Sequence, residues 1–179
     1  MSKLFFVLKK DLERITKPTM LNFLSIYFFP RGEVYRYTFW LRILQHVKSK
    51  KILKIVFGLP VYFIFRHYEF KYGIHANSNM VIGEGLHIVH GDGVYINCKS
   101  VGRNFTCYQG VTLGTNVWGG EKPTVLNDVT VYTNSVVIGD ILLNDNSIIG
   151  ANSFVNKNVE ENSIVCGNPA KLIKKVEQK

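Results

Sequence analysis

A chain of 179 residues, 46% hydrophobic and 20% charged, is long enough for one folded domain with a smaller appendage and too apolar to be disordered. Its net charge of +9 sits at one end: residues 1–72 hold 14 Lys/Arg against 4 Asp/Glu (+10), whereas residues 73–179 hold 8 against 9 (−1). Cys98, Cys107 and Cys166 offer no CxxC or Cys/His spacing for a metal and read as reduced thiols.

The start, "MSKLFFVLKK", has a five-residue apolar core, too short for a secretory signal. In "GEVYRYTFWLRILQHVKSK" the residues Val34, Tyr37, Leu41 and Leu44 recur at steps of three and four, which predicts one apolar helical face. Pro18, Pro30 and Pro60 mark places where helices should start or break. The most apolar run, Ile52–Phe65, spans 14 residues and contains Lys54, short of the roughly 20 a membrane-crossing helix needs. Residues 1–72 therefore read as a basic α-helical region. Two uses stay open for it: packing on the second domain or another subunit, or lying on an anionic membrane surface. No nucleic-acid-binding motif accompanies the charge.

Thirteen of the 15 glycines lie at or after Gly73, which sets the boundary of a second domain, 73–179. From Ile82 a six-residue period begins. Its first positions are Ile82, Ile88, Ile96, Val101, Cys107, Leu113, Val125, Val131, Val137, Leu143, Ile149 and Val155, all aliphatic except Cys107, which is expected to be a small core residue. The stretch Ile88–Tyr95 carries two extra residues, and Gly114–Thr124 breaks the period. A flat sheet would want period two and a helix 3.6. Six, held over about 70 residues, predicts short strands and tight turns wound as a triangular coil with the first positions stacked inside. Gly, Asn and Asp at the corners tolerate the left-handed turn conformation. The expected fold is mainly β, a β-helix with an α-helical N-terminal region.

The stretches "IGEGLHIVHGDGVYIN", "YQGVTLG" and "VCGNPAKLIKK" resemble the hexapeptide-repeat acyltransferases, whose coils wind as a left-handed parallel β-helix. Within that group they resemble the serine acetyltransferase branch, and the short basic leader resembles the smaller exopolysaccharide and capsule O-acetyltransferases. The resemblance implies a trimer with acetyl-CoA lying between subunits.

By that resemblance His90 matches the catalytic histidine, a general base taking the proton from an acceptor hydroxyl. His75 stands fifteen residues earlier, where serine acetyltransferases place the aspartate that orients the ring. Val89 replaces an aspartate before the catalytic histidine, and Lys122 replaces a second histidine, so two acceptor-binding groups are missing. Gly114 and Thr115 are expected to face the pantetheine arm, Thr133 and Ala151 to line it, and Lys171, Lys174 and Lys175 to meet the nucleotide phosphates. The loop "GTNVWGGEKPT" should border the acetyl-CoA channel. His75, His87 and His90 lack the spacing of a metal trio, and no metal is expected.

The expected function is acetyl transfer from acetyl-CoA to a sugar hydroxyl of a surface-polysaccharide precursor. That places the protein in the cytoplasm, with contact to the inner face of the membrane open through residues 1–72. The alternative is a serine O-acetyltransferase of cysteine biosynthesis.

Overall fold

The computed structural model describes residues 3–28 and 32–176. Four helices come first: α1 (Lys3–Glu13), α2 (Met20–Phe28), α3 (Glu33–Ser49) and α4 (Lys51–Tyr72). Helix α3 buries Tyr37, Leu41 and Leu44 with Val34 half-buried beside them, the face its three-and-four spacing predicts. Pro18 falls between α1 and α2 as expected, and Pro30 lies outside the described residues.

Pro60 is a correction, because it sits inside α4 rather than breaking it. Its ring lies on the exposed side, while Leu53 before it and Val61 and Phe65 after it pack on the core. Packing on both sides of the proline holds a helix that propensity alone would interrupt. Helix α4 ends at Gly73, whose left-handed backbone (φ 59°) lets its N–H cap the Glu69 carbonyl.

Beyond Gly73 the chain winds into a parallel β-helix of about five coils with three faces. The first face stacks Ile74–Ala76, Val94–Ile96, Thr112–Gly114, Val136–Ile138 and Phe154–Val155. The second stacks Val81–Ile82, Ser100–Val101, Thr124–Val125 and Leu142–Leu143. The third stacks His87–Ile88, Thr106–Cys107, Thr130–Val131, Ile148–Ile149 and Ser163–Cys166, closed by the antiparallel strand Lys171–Lys175.

Strands of two or three residues cannot bury much alone, and stacking supplies the core. Ile88, Cys107, Val131 and Ile149 superpose in register, each at most 2% exposed. The repeat's first positions on the other two faces are buried likewise, except Ile82, which is half-buried.

The corners explain the Asn, Asp and Gly content. Asn104, Asp128, Asn146 and Asn162 turn one corner, and Gly110, Asn134 and Asn152 another, all with φ between 54° and 70°. At Gly110 a Cβ would lie 2.1 Å from Asn134 Oδ1, so the amide of the next coil fills the space a side chain would need. Gly110→Ala is expected to cost about 1–3 kcal/mol, read as a lower urea midpoint with unchanged slope.

The thiols belong to this core. Burial pushes the Cys98 thiol up to about 12 and raises Cys107 too, while Cys166 is only half-buried. An alkylating reagent at mildly alkaline pH should label Cys166 in the folded protein and all three cysteines after denaturation.

One buried ion pair fastens the helices to the coil. Asp11 of α1 and Arg42 of α3 are 0% and 4% exposed, with Arg42 Nε donating to Asp11 Oδ2 at 2.8 Å and Nη2 to Oδ1 at 3.2 Å. Arg42 also donates to the carbonyls of Ile82 and Gly83, and Asp11 accepts from the backbone N–H groups of Gly85 and Leu86 at 2.8 and 2.9 Å. The Tyr37 hydroxyl accepts from the Ala76 N–H at 2.9 Å, a second tie to the first coil. Helices and coil share one hydrophobic core.

Candidate active site

The corner between the third and first faces carries His90. In the regular coils four steps lead from the third face to the first, from Cys107 to Val111, whereas in the first coil Ile88 and Val94 are six apart. Two extra residues push this corner outward, and the His90 side chain on it is exposed. Among the described residues none hydrogen-bonds its ring.

The bulge rests on the end of α4. Asp92 N–H donates to the Tyr72 carbonyl at 2.8 Å, and a Cβ at Gly91 would lie 2.5 Å from that oxygen. Gly91 is therefore demanded by a close backbone approach, and the His90 loop is set by a helix terminus rather than left loose. His87, half-buried on the preceding strand, has its pKa lowered by burial, then by Arg14 and by His90. The Arg14 guanidinium is held beside it by a 2.8 Å hydrogen bond to Thr106 Oγ1. His87 is thus favoured in its neutral form beside the candidate base.

His75 is engaged elsewhere. Its Nδ1 lies 3.4 Å from Oε1 of Glu69, a buried carboxylate also paired with Arg66, and its ring stacks on Tyr95 with centroids 4.7 Å apart. No hydrogen bond joins His75 to His90 within the described residues. Among those residues no group of three or more His, Cys, Asp or Glu side chains is gathered around a common point.

The other predicted residues fall on two edges of the first face. Thr133 and Ala151 lie on the His90 corner, one coil apart, the Asn152 N–H reaching the Thr133 carbonyl at 2.9 Å. Gly114 and Thr115 lie at the opposite edge, where the loop to Thr124 departs. Among the described residues, its chain neighbours apart, none places a heavy atom within 4 Å of a Cβ built on Gly114, so the backbone there is open to a ligand. Trp118 projects fully into solvent from that loop, and Lys99 pins its far end by ion pairs to Glu121 (2.8 Å) and Asp140 (2.9 Å). Lys171 and Lys174 are exposed on the last strand, and Lys175 pairs with Glu160 at 2.5 Å. A single chain thus holds the base on one edge and the open glycine on the other.

Two features escaped the sequence reading. Tyr108 and Tyr132 stack with centroids 4.9 Å apart on the His90 corner, in the rung positions that follow Val89. The signal was available: each is one residue past a first position of the repeat. The Glu69 carboxylate beside His75 carried no such signal, since helix and strand meet there only through the Gly73 turn.

No family model matches the chain. A serine acetyltransferase of Bacillus pumilus (strain SAFR-032) is 30% identical over 177 residues, 94% of this chain and 77% of the relative. One of Staphylococcus aureus (strain Mu50) is 40% identical over 109 residues, 59% of this chain and 51% of the relative, so the chain spans about half of that protein. The structure resembles Brucella abortus serine acetyltransferase in complex with coenzyme A, with a TM-score of 0.75, 19% identity, and coverage of 98% of this chain and 69% of the other. These likenesses overturn the polysaccharide-precursor acceptor. The alignment with the Bacillus protein takes in the helical leader, so the leader does not mark a separate branch, and the replacements at Val89 and Lys122 do not outweigh it. With a repeat-built coil, an enlarged histidine corner and a 30% identical relative aligned over 94% of this chain, the chain belongs to the serine acetyltransferase family of hexapeptide-repeat acyltransferases and is an acetyl-CoA-dependent O-acetyltransferase.

Proposed function

We propose that the chain transfers acetyl from acetyl-CoA to the hydroxyl of L-serine, with His90 as the general base. The observation that carries this is the exposed His90 imidazole on a corner enlarged by two residues, in a chain whose relatives are named serine acetyltransferases. The neutral ring takes the hydroxyl proton as the serine oxygen bonds to the thioester carbon. The C–S bond then breaks, and the imidazolium returns the proton to the leaving sulfur, giving O-acetylserine and free CoA.

Acetyl-CoA is placed against Gly114 and Thr115, with Thr133 and Ala151 along its arm and Lys171 and Lys174 toward its phosphates. Base and open glycine lie on opposite edges of one face, which supports a homotrimer in which the His90 edge of one protomer meets the Gly114 edge of the next. Because Val89 and Lys122 replace acceptor-binding groups, serine binding falls to other side chains, among them the Tyr108–Tyr132 stack in register with Val89.

The test is CoA release with free amino acids. L-serine should support turnover at least about tenfold faster than D-serine or L-threonine, one lost hydrogen bond or a misplaced hydroxyl being enough for that ratio. Equal release with all three, or none with L-serine, would refute the acceptor.

A further inference from the structure

Helix α4 carries an exposed apolar stripe that points away from the rest of the protein. Ile52, Ile55, Leu59, Phe63 and Phe70 are 76%, 75%, 71%, 66% and 66% exposed. Their steps of three, four, four and seven place them on one side of a helix, a strip about 27 Å long. The opposite side, with Val61, Phe65, Glu69 and Tyr72, is buried on α3 and the first coil. A stripe this long is not incidental surface.

Charge identifies the occupant. Lys50, Lys51 and Lys54 are exposed around the start of the helix and Lys71 at its end. The only acid in α4, Glu69, is buried and paired with Arg66 and His75. The charges flanking the stripe, Lys51 and Lys71, are both cationic, and the helix has no free carboxylate that a second copy of this face could offer them. No helix among the described residues is long and apolar enough to cross a membrane. We propose that α4 lies in the plane of an anionic lipid bilayer, sinking the stripe into the acyl boundary with its lysines at the headgroups. This surface is separate from the acetyl-transfer site and does not depend on which acceptor that site takes.

The experiment is co-sedimentation of the full chain with phosphatidylcholine vesicles, with and without phosphatidylglycerol, alongside sedimentation velocity without lipid. The wild-type chain should pellet with the anionic vesicles and not with pure phosphatidylcholine, and added salt should release it. Phe63→Glu and the pair Lys51→Glu, Lys54→Glu should each lower the bound fraction about tenfold or more. Both replace exposed side chains, so CoA release and the thermal midpoint should stay at wild-type values, separating loss of docking from loss of fold. Failure to pellet, or pelleting unchanged in Phe63→Glu, overturns the proposal. So does a wild-type mass that falls with Phe63→Glu while no vesicle is bound, which would assign the stripe to a second copy of the chain.

Discussion

Replacing His90 with alanine should slow acetyl transfer about a hundredfold or more, the usual contribution of a positioned general base. The ring is exposed and makes no hydrogen bond to the described residues, so nothing in the core depends on it. The thermal midpoint of His90→Ala should match the wild type while CoA release collapses. That split separates a proton-transfer role from a structural one. In kinetic terms kcat should fall with little change in the KM for acetyl-CoA, because the imidazole acts as the serine oxygen attacks rather than in holding the donor.

The second large effect belongs to the Asp11–Arg42 pair. Asp11→Ala leaves a buried guanidinium facing only two carbonyls and strips the Gly85 and Leu86 N–H groups of their acceptor. A broken buried pair costs roughly 3–5 kcal/mol, enough to lower the urea midpoint severely. The double change Asp11→Leu with Arg42→Met removes both charges together and should recover much of that loss, because no unpaired ion remains. An Asp11→Ala chain as stable as the wild type would show that α1 is not fastened to the coil this way.

The coil was legible because its period is local. A first-position residue, a corner residue and the next turn are all within six positions, and each obeys a rule about strand burial or left-handed backbone. Cys107 was recognised as core for that reason, and the two extra residues at His90 stood out as a lapse in the count. Helix α3 was legible through Tyr37, Leu41 and Leu44.

What the sequence hid depends on contacts between distant segments. Asp11 and Arg42 are 31 positions apart, and nothing in either neighbourhood announces a partner. Pro60 lies within α4 because packing on the flanking turns overrides a breaker, a tertiary effect with no local trace. His75 meets Tyr95 on the next coil and Glu69 across the Gly73 turn, contacts that its place fifteen residues before His90 does not announce. The acceptor was misread because the replacements at Val89 and Lys122 and a basic leader were weighed above the likeness of the whole chain.

If His90 is the base, an outside base should be able to stand in for it at so exposed a corner. Mass spectrometry of O-acetylserine formed by His90→Gly, with and without added imidazole, puts this to the test. The variant should make almost no product alone and recover part of the wild-type rate as imidazole is raised. Product formed at the wild-type rate by His90→Gly without imidazole would contradict the role of that residue.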